Sequence, residues 1–183
     1  LKNEFILSEN IRLKKIIDTY LVGSDEIVAK VLIDKQSPFL RSVVLSKGSK
    51  NKIKLGMAVL DNNYLVGKIV EVNYLTSRAL LLSDLNSKIP VTIEPGNIQS
   101  ILSGTGKEEG IIQYLKENTD ITSNSVIYTS GSGGLFKEGI PIGKINIRDT
   151  YDTESDTNNQ ITFFSDFSQL QFVKIVAFKK DNN

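Results

Sequence analysis

The 183-residue chain carries 22 Lys+Arg against 21 Asp+Glu, a formal net charge of +1, with 40% hydrophobic and 23% charged residues. That is the balance of an ordinary globular chain, long enough for one domain or two small ones. It contains no histidine and no cysteine, which excludes a Ser-His-Asp relay, cysteine catalysis, disulfides and nearly all zinc sites; no cofactor or metal is expected, and the near-zero charge provides no global attraction to nucleic acid or anionic lipid.

Residues 1–21 read as a helix, uninterrupted by Gly or Pro until Gly23. Asn3, Asn10 and Ile17 fall at a positions of a heptad and Ile6, Leu13 and Tyr20 at d, a seam for self-association in which asparagine at a favours a parallel dimer in fixed register. The alternative is a single amphipathic helix packed on its own domain. An isolated helix of this length is marginal in water, so a coiled coil would continue upstream. The chain opens on Leu1 and its single methionine is Met57, so a fragment lacking an N-terminal part is expected. No stretch approaches the ~20 apolar residues of a membrane span, and the missing cysteines fit an oxidising periplasm.

From residue 26 the pattern is that of short strands: 26–33, 42–45, 57–60, 65–72, 79–82, 91–94, 99–102, 110–114, 126–128, 142–147, 161–164 and 172–178. Turn residues punctuate them, including Asp61-Asn62-Asn63, Pro95-Gly96 and Gly104-Thr105-Gly106. Lys47, Lys50, Lys52 and Lys54 form a basic run; without interleaved aromatics it reads better as a solvated loop than as a phosphate or nucleic-acid site. Residues 149–160 form a polar tract whose Asp152, Glu154, Asp156 and Asn158 alternate as in a calcium loop. The glycine and closing glutamate of that loop are Thr157 and Phe163 here, so a long hairpin tip or mobile loop is the better reading. About a dozen short strands at this spacing point to an all-β fold, barrels or a sandwich, with a break near Asn86–Pro90 that divides them into two sets of about six.

The densest local signal is Val126–Gly143, which holds Thr129, Ser130, Gly131, Gly133, Gly134, Phe136, Gly139, Pro141 and Gly143. A strand enters a glycine-rich turn whose Gly131, Gly133 and Gly134 can adopt positive φ, and a second strand leaves it. A phosphate loop would need Lys-Ser or Lys-Thr opening a helix after the last glycine, and Leu135-Phe136 stands there instead. Ser130 or Ser132 could serve a hydrolase only without histidine, and no Ser-x-x-Lys occupies a strained turn. A structural loop with Phe136 buried beneath it fits best.

In order along nearly the whole chain, the residues resemble the periplasmic part of the MreC family of bacterial rod-shape-determining proteins. Ser8-Glu9-Asn10-Ile11-Arg12-Leu13 is similar to the end of that family's coiled coil. Val43–Ser49 with Leu55–Val59, then Leu65-Val66-Gly67-Lys68-Ile69, Leu81-Leu82-Ser83-Asp84, Ile89-Pro90-Val91 and Gly104-Thr105-Gly106 resemble its barrel motifs. Thr129-Ser130-Gly131 with Phe136 and Gly139-Ile140-Pro141-Ile142-Gly143 is the most specific part, and Asp166–Leu170 with Val173 resembles its C-terminal end. Asn124-Ser125 stands where the family usually has Gly-Asp, and Lys137 follows the loop phenylalanine in place of proline; both bear on local turn geometry.

The resemblance implies a coiled-coil end over 1–22, a six-stranded β-barrel over 23–88 and a second over 89–183, with the last strand left open to return to the first. The barrels would be similar to those of trypsin-like proteases without their catalytic residues. It further implies a non-catalytic scaffold of cell elongation and peptidoglycan synthesis on the periplasmic face of the inner membrane, anchored through an upstream span. Its partners would be itself, the class B penicillin-binding protein of elongation, and MreD, RodA and MreB in the membrane complex.

Overall fold

A computed structural model describes residues 26–37, 40–113, 121–122, 125–146 and 160–177, with Asn3, Ile6, Leu7 and Asn10. Twelve strands are described: β1 (Glu26–Ser37), β2 (Leu40–Leu45), β3 (Ala58–Asp61), β4 (Tyr64–Val72), β5 (Ser77–Leu81), β6 (Lys88–Glu94), β7 (Ile98–Gly104), β8 (Glu109–Gln113), β9 (Val126–Thr129), β10 (Pro141–Asn146), β11 (Gln160–Phe163) and β12 (Phe172–Val176). They form two closed barrels, with strand order β1-β12-β3-β4-β5-β2 in the first and β10-β11-β8-β7-β6-β9 in the second. Every pairing is antiparallel. Closure leaves neither sheet with an edge of unpaired N–H and C=O groups, which is how short strands become stable together.

The strand interiors follow period-2 burial where one face is wet. In β5, Ser77, Ala79 and Leu81 point inward while Arg78 and Leu80 are half-buried. In β8, Gly110 and Ile112 are the buried pair. On one side of the first barrel the alternation stops: Ala58, Val59 and Leu60 are all buried, as are Leu65, Val66 and Gly67. Both faces of β3 and β4 are covered there, and β10 of the second barrel lies against β4. The buried residues of the two barrels form one continuous cluster.

β1 runs on to Ser37, past the expected end at Ile33. Glu26–Lys30 pairs with β12, and from Val31 onward the strand pairs with β2, with a register shift between Val31 and Ile33. One strand therefore serves two neighbours in succession, and needs the extra length. β12, the last strand, closes the first barrel between β1 and β3 (Lys174 opposite both Val28 and Leu60). The second barrel is thus inserted between β5 and β12, and the chain crosses between barrels twice.

Both crossings are tied down. In the first, Leu82–Ser87, the buried Asp84 carboxylate accepts the N–H of Arg41 from β2 (2.7 Å), the N–H of Asn86 (2.8 Å) and the Asn86 side-chain amide (3.2 Å). Arg41 also pairs its guanidinium with Glu108 of the second barrel's β7–β8 loop. Gly104 packs directly on this segment: a Cβ there would lie 2.6 Å from the Leu82 carbonyl oxygen, so only glycine fits. Gly106 N–H donates to the Ser83 carbonyl (2.8 Å).

In the second crossing, Phe167 is 1% exposed and stacks on Phe163, ring centroids 4.7 Å apart, while Phe164 meets Tyr64 of β4 at 5.1 Å. Asp166 caps the turn, accepting the N–H (3.0 Å) and the hydroxyl (2.6 Å) of Ser168. These bonds hold its carboxyl below the ordinary aspartate range.

Phe167→Ala should destabilise the chain by about 3–5 kcal/mol, since it removes a fully buried ring between the barrels; a urea midpoint unchanged from the wild type would contradict that packing. The Asp166 pKa is depressed by folding, so its contribution is complete above the unfolded aspartate pKa and is lost as pH falls through the folded one. Melting temperature against pH should therefore fall less steeply on the acid side in Asp166→Ala than in the wild type.

Candidate functional site

The glycine loop joins β9 to β10 at the end of the second barrel from which both crossings leave. β9 is paired with β6 in the register Val91 opposite Thr129, so the loop emerges beside the start of β6. Ser130 N–H donates to the Pro90 carbonyl (3.2 Å) there.

Thr129 organises the loop. It is 1% exposed, and its hydroxyl donates to the Lys137 carbonyl (2.5 Å) while accepting the Ile140 N–H (2.9 Å). Its backbone N–H donates to the Ile140 carbonyl and its carbonyl accepts the Gly139 N–H, both at 2.9 Å. One residue thus ties the outgoing strand to the incoming one by side chain and main chain, and every polar atom it buries is used.

Within the loop Gly131, Gly133 and Gly134 lie at φ 72°, 74° and 65°, and Gly139 at 87°, the left-handed region open to glycine at low cost. A Cβ at Gly131 would in addition meet Glu138 Cβ at 3.2 Å. Gly134 N–H returns to the Gly131 carbonyl (3.3 Å). Phe136 turns inward, 6% exposed, while Leu135 beside it is 44% exposed. Gly143 lies in β10, where a Cβ would come within 3.1 Å of Phe163 Cα. Pro141 opens β10 opposite Tyr128, and the register shifts before Gly143. That bulge breaks the period-2 alternation of an ordinary strand: Ile142 and Gly143 are both buried, and Ile145 then follows inward.

The two serines are unlike nucleophiles. Ser130 Oγ accepts the N–H of Ser132 (3.2 Å), a local turn bond, and Ser132 is exposed. A serine hydroxyl becomes a strong nucleophile when a base is placed to take its proton, and the histidine of a Ser-His-Asp relay does not occur in the chain. Of the six positions expected to form a seam, Asn3, Ile6 and Asn10 are described, each helical and exposed; Leu13, Ile17 and Tyr20 lie outside the described residues. So does the polar tract 149–160, apart from Gln160 at the start of β11. The Arg41–Asp84–Glu108 cluster was invisible to local pattern: Asp84 ends the Leu-Leu-Ser-Asp motif, but its partners are remote in sequence.

The fold and the loop define a double β-barrel protein whose inserted second barrel presents a hydrogen-bonded glycine corner. The family model described as "Rod shape-determining protein MreC, barrel core" matches residues 31–177, and the chain belongs to the MreC family. The Escherichia coli (strain K12) cell shape-determining protein MreC is 34% identical over 140 residues, 75% of this chain and 38% of that protein. The protein of the same name from Cereibacter sphaeroides is 31% identical over 146 residues, 80% of this chain and 47% of its own length; the chain spans less than half of either relative. Among solved structures, MreC from Pseudomonas aeruginosa superposes with a TM-score of 0.76 at 26% identity, covering 84% of this chain and 99% of that one. A complex between penicillin-binding protein (PBP2) and MreC from Helicobacter pylori matches with a TM-score of 0.59 at 16% identity, 84% of this chain and 98% of that one, and shows the shared fold.

Thr129→Val should cost about 1–3 kcal/mol by leaving the Ile140 N–H and the Lys137 carbonyl short of a partner. Gly131→Val should cost a similar ~1–3 kcal/mol through its left-handed φ. Ser132→Ala, on the exposed rim, should stay within about 0.5 kcal/mol of the wild type. Thermal or urea unfolding ranks the three; a Gly131→Val protein as stable as Ser132→Ala would refute this account of the loop.

Proposed function

We propose that the chain is a non-catalytic periplasmic scaffold of the bacterial cell-elongation machinery. It binds the elongation class B penicillin-binding protein through its barrels and holds that enzyme in its active state. It self-associates through the helix seam of Asn3, Ile6, Asn10, Leu13, Ile17 and Tyr20, and an upstream membrane span places it with MreD, RodA and MreB at the inner membrane. The glycine loop of Thr129, Ser130, Gly131, Gly133, Gly134, Phe136, Gly139, Pro141 and Gly143 serves as structure.

The observation that carries the reading is the way the loop uses its own polar groups. Thr129 commits its hydroxyl to two backbone partners and Ser130 accepts a neighbouring N–H, which leaves a firm surface and no activated nucleophile. Membership of a shape-determining family supports a structural role, and the PBP2 complex of the Helicobacter pylori relative supports a transpeptidase partner. A scaffold can bias its partner only by binding one of the partner's conformations more tightly than the other.

Titration of this chain against the periplasmic domain of the elongation transpeptidase, with and without residues 1–21, tests the proposal. Saturable binding that survives the truncation is expected, together with a higher transpeptidase rate at saturation. Absence of binding by both forms would remove the transpeptidase as a direct partner of these barrels. Binding lost with residues 1–21 would move the partner site to the helix.

A further inference from the structure

The first barrel has two unlike ends. In the antiparallel order, β5 leaves and β12 enters at the end that meets the second barrel, where Arg41 reaches Glu108 and Tyr64 meets Phe164. The opposite end gathers the start of β1, the long β2–β3 connection and the β4–β5 turn. β1 therefore begins, at Glu26, at this far end.

That end combines cationic and apolar side chains. The basic run of the β2–β3 connection is seated on the β4–β5 turn: Ser49 N–H donates to the Asn73 carbonyl (2.9 Å) and Lys50 N–H to the Tyr74 carbonyl (3.0 Å). Gly48 makes the seat possible, since a Cβ there would lie 2.6 Å from the Tyr74 carbonyl oxygen. Ile53, 3% exposed, pins the connection into the core. Lys50, Lys52 and Lys54 are left exposed. Beside them Leu55, Tyr74 and Leu75 are 66%, 66% and 58% exposed. Gly56 N–H bonds to the Ile69 carbonyl (2.8 Å), which brings Leu55 next to Val70, itself turned outward at the β4 register shift and exposed. The aromatic that the lysine run lacks in sequence is supplied from another turn.

Among the described residues, the acidic groups at this end are engaged. Glu71 is held by Asn73 and Arg78 (3.2 Å each), which keep its carboxyl below the usual range, and Glu26 pairs with Lys174 (3.7 Å). The three exposed lysines thus set the local sign despite a whole-chain charge of +1. Exposed apolar side chains on rigid turns, ringed by lysines whose stems can lie along apolar surface while the ammonium reaches outward, fit the interface of an anionic bilayer.

We propose that this end of the first barrel is a docking surface for an anionic membrane, with Leu55, Tyr74 and Leu75 entering the headgroup region and Lys50, Lys52 and Lys54 pairing with lipid phosphates. The transpeptidase reading is not needed for it. In flotation assays the 183-residue chain should bind vesicles of phosphatidylglycerol and phosphatidylcholine better than phosphatidylcholine alone, and lose binding as salt rises. At about fivefold per lysine near an anionic surface, changing Lys50, Lys52 and Lys54 together to Gln should weaken binding on the order of a hundredfold, and Leu55→Asp should weaken it further.

Tyr74→Trp gives a local reporter in a chain without tryptophan; its emission should shift to the blue and be quenched by brominated lipid. All substituted side chains are exposed, so unfolding midpoints should match the wild type. Vesicle binding that ignores the triple lysine change, indole emission from the Tyr74→Trp variant that does not move, or equal binding to neutral lipid would each overturn the proposal. Loss of transpeptidase binding in the triple variant with vesicle binding intact would assign the surface to the protein partner instead.

Discussion

Backbone closure of the first barrel by β12 is the constraint on which the rest of the molecule rests. Without that strand β1 and β3 would face water with unpaired N–H and C=O groups, and five short strands would be left as an open sheet. β12 can reach its place only if the chain that leaves after β5 comes back to the same barrel. The second barrel is the folded excursion between those two points. Its position is then held by the two crossings: Asp84 with Arg41 and Glu108 on one, the Phe163–Phe167 stack with Tyr64 and Phe164 on the other. The all-buried runs of β3 and β4 show the outcome, a barrel wall with apolar packing on both faces.

Against this rigid frame the glycine corner stands out as a place where sequence is dictated by backbone geometry. Positive φ at Gly131, Gly133, Gly134 and Gly139, together with the double use of the Thr129 hydroxyl, accounts for a pattern that looks chemical on paper. Of the two serines in the loop, Ser130 accepts a backbone N–H of the turn itself and Ser132 faces solvent. A fold and a tetrapeptide do not by themselves define chemistry, which is argued from the atoms placed around a reacting group.

Much of this was legible in sequence because small barrels advertise themselves locally. Alternation located the strands, and Asn62, which takes φ 53° in the β3–β4 turn, is the kind of residue a tight hairpin selects. What was not legible depends on partners far apart in the chain. Nothing local says that β1 must change neighbours at Val31, or that the final strand belongs beside the first. Likewise the buried carboxylate of Asp84 draws on Arg41, which reaches on to Glu108, and the lysine connection finds Tyr74 through backbone bonds across a barrel end. Local pattern encodes the strand; only closure decides which strands meet.

The insertion has a temporal side as well. Emerging from its N-terminus, the chain makes the first five strands of one barrel, then the whole of the other, and only afterwards the strand that completes the first. The barrel begun earliest is finished last, so its β1 and β3 edges stay open while the later barrel is being made. Pairings between opposite ends of a chain are slow to form because the intervening length must first be brought together. During that interval the open edges can accept a stray strand, and for this architecture the order of synthesis, more than the strength of any single contact, sets the window in which misassembly competes with folding.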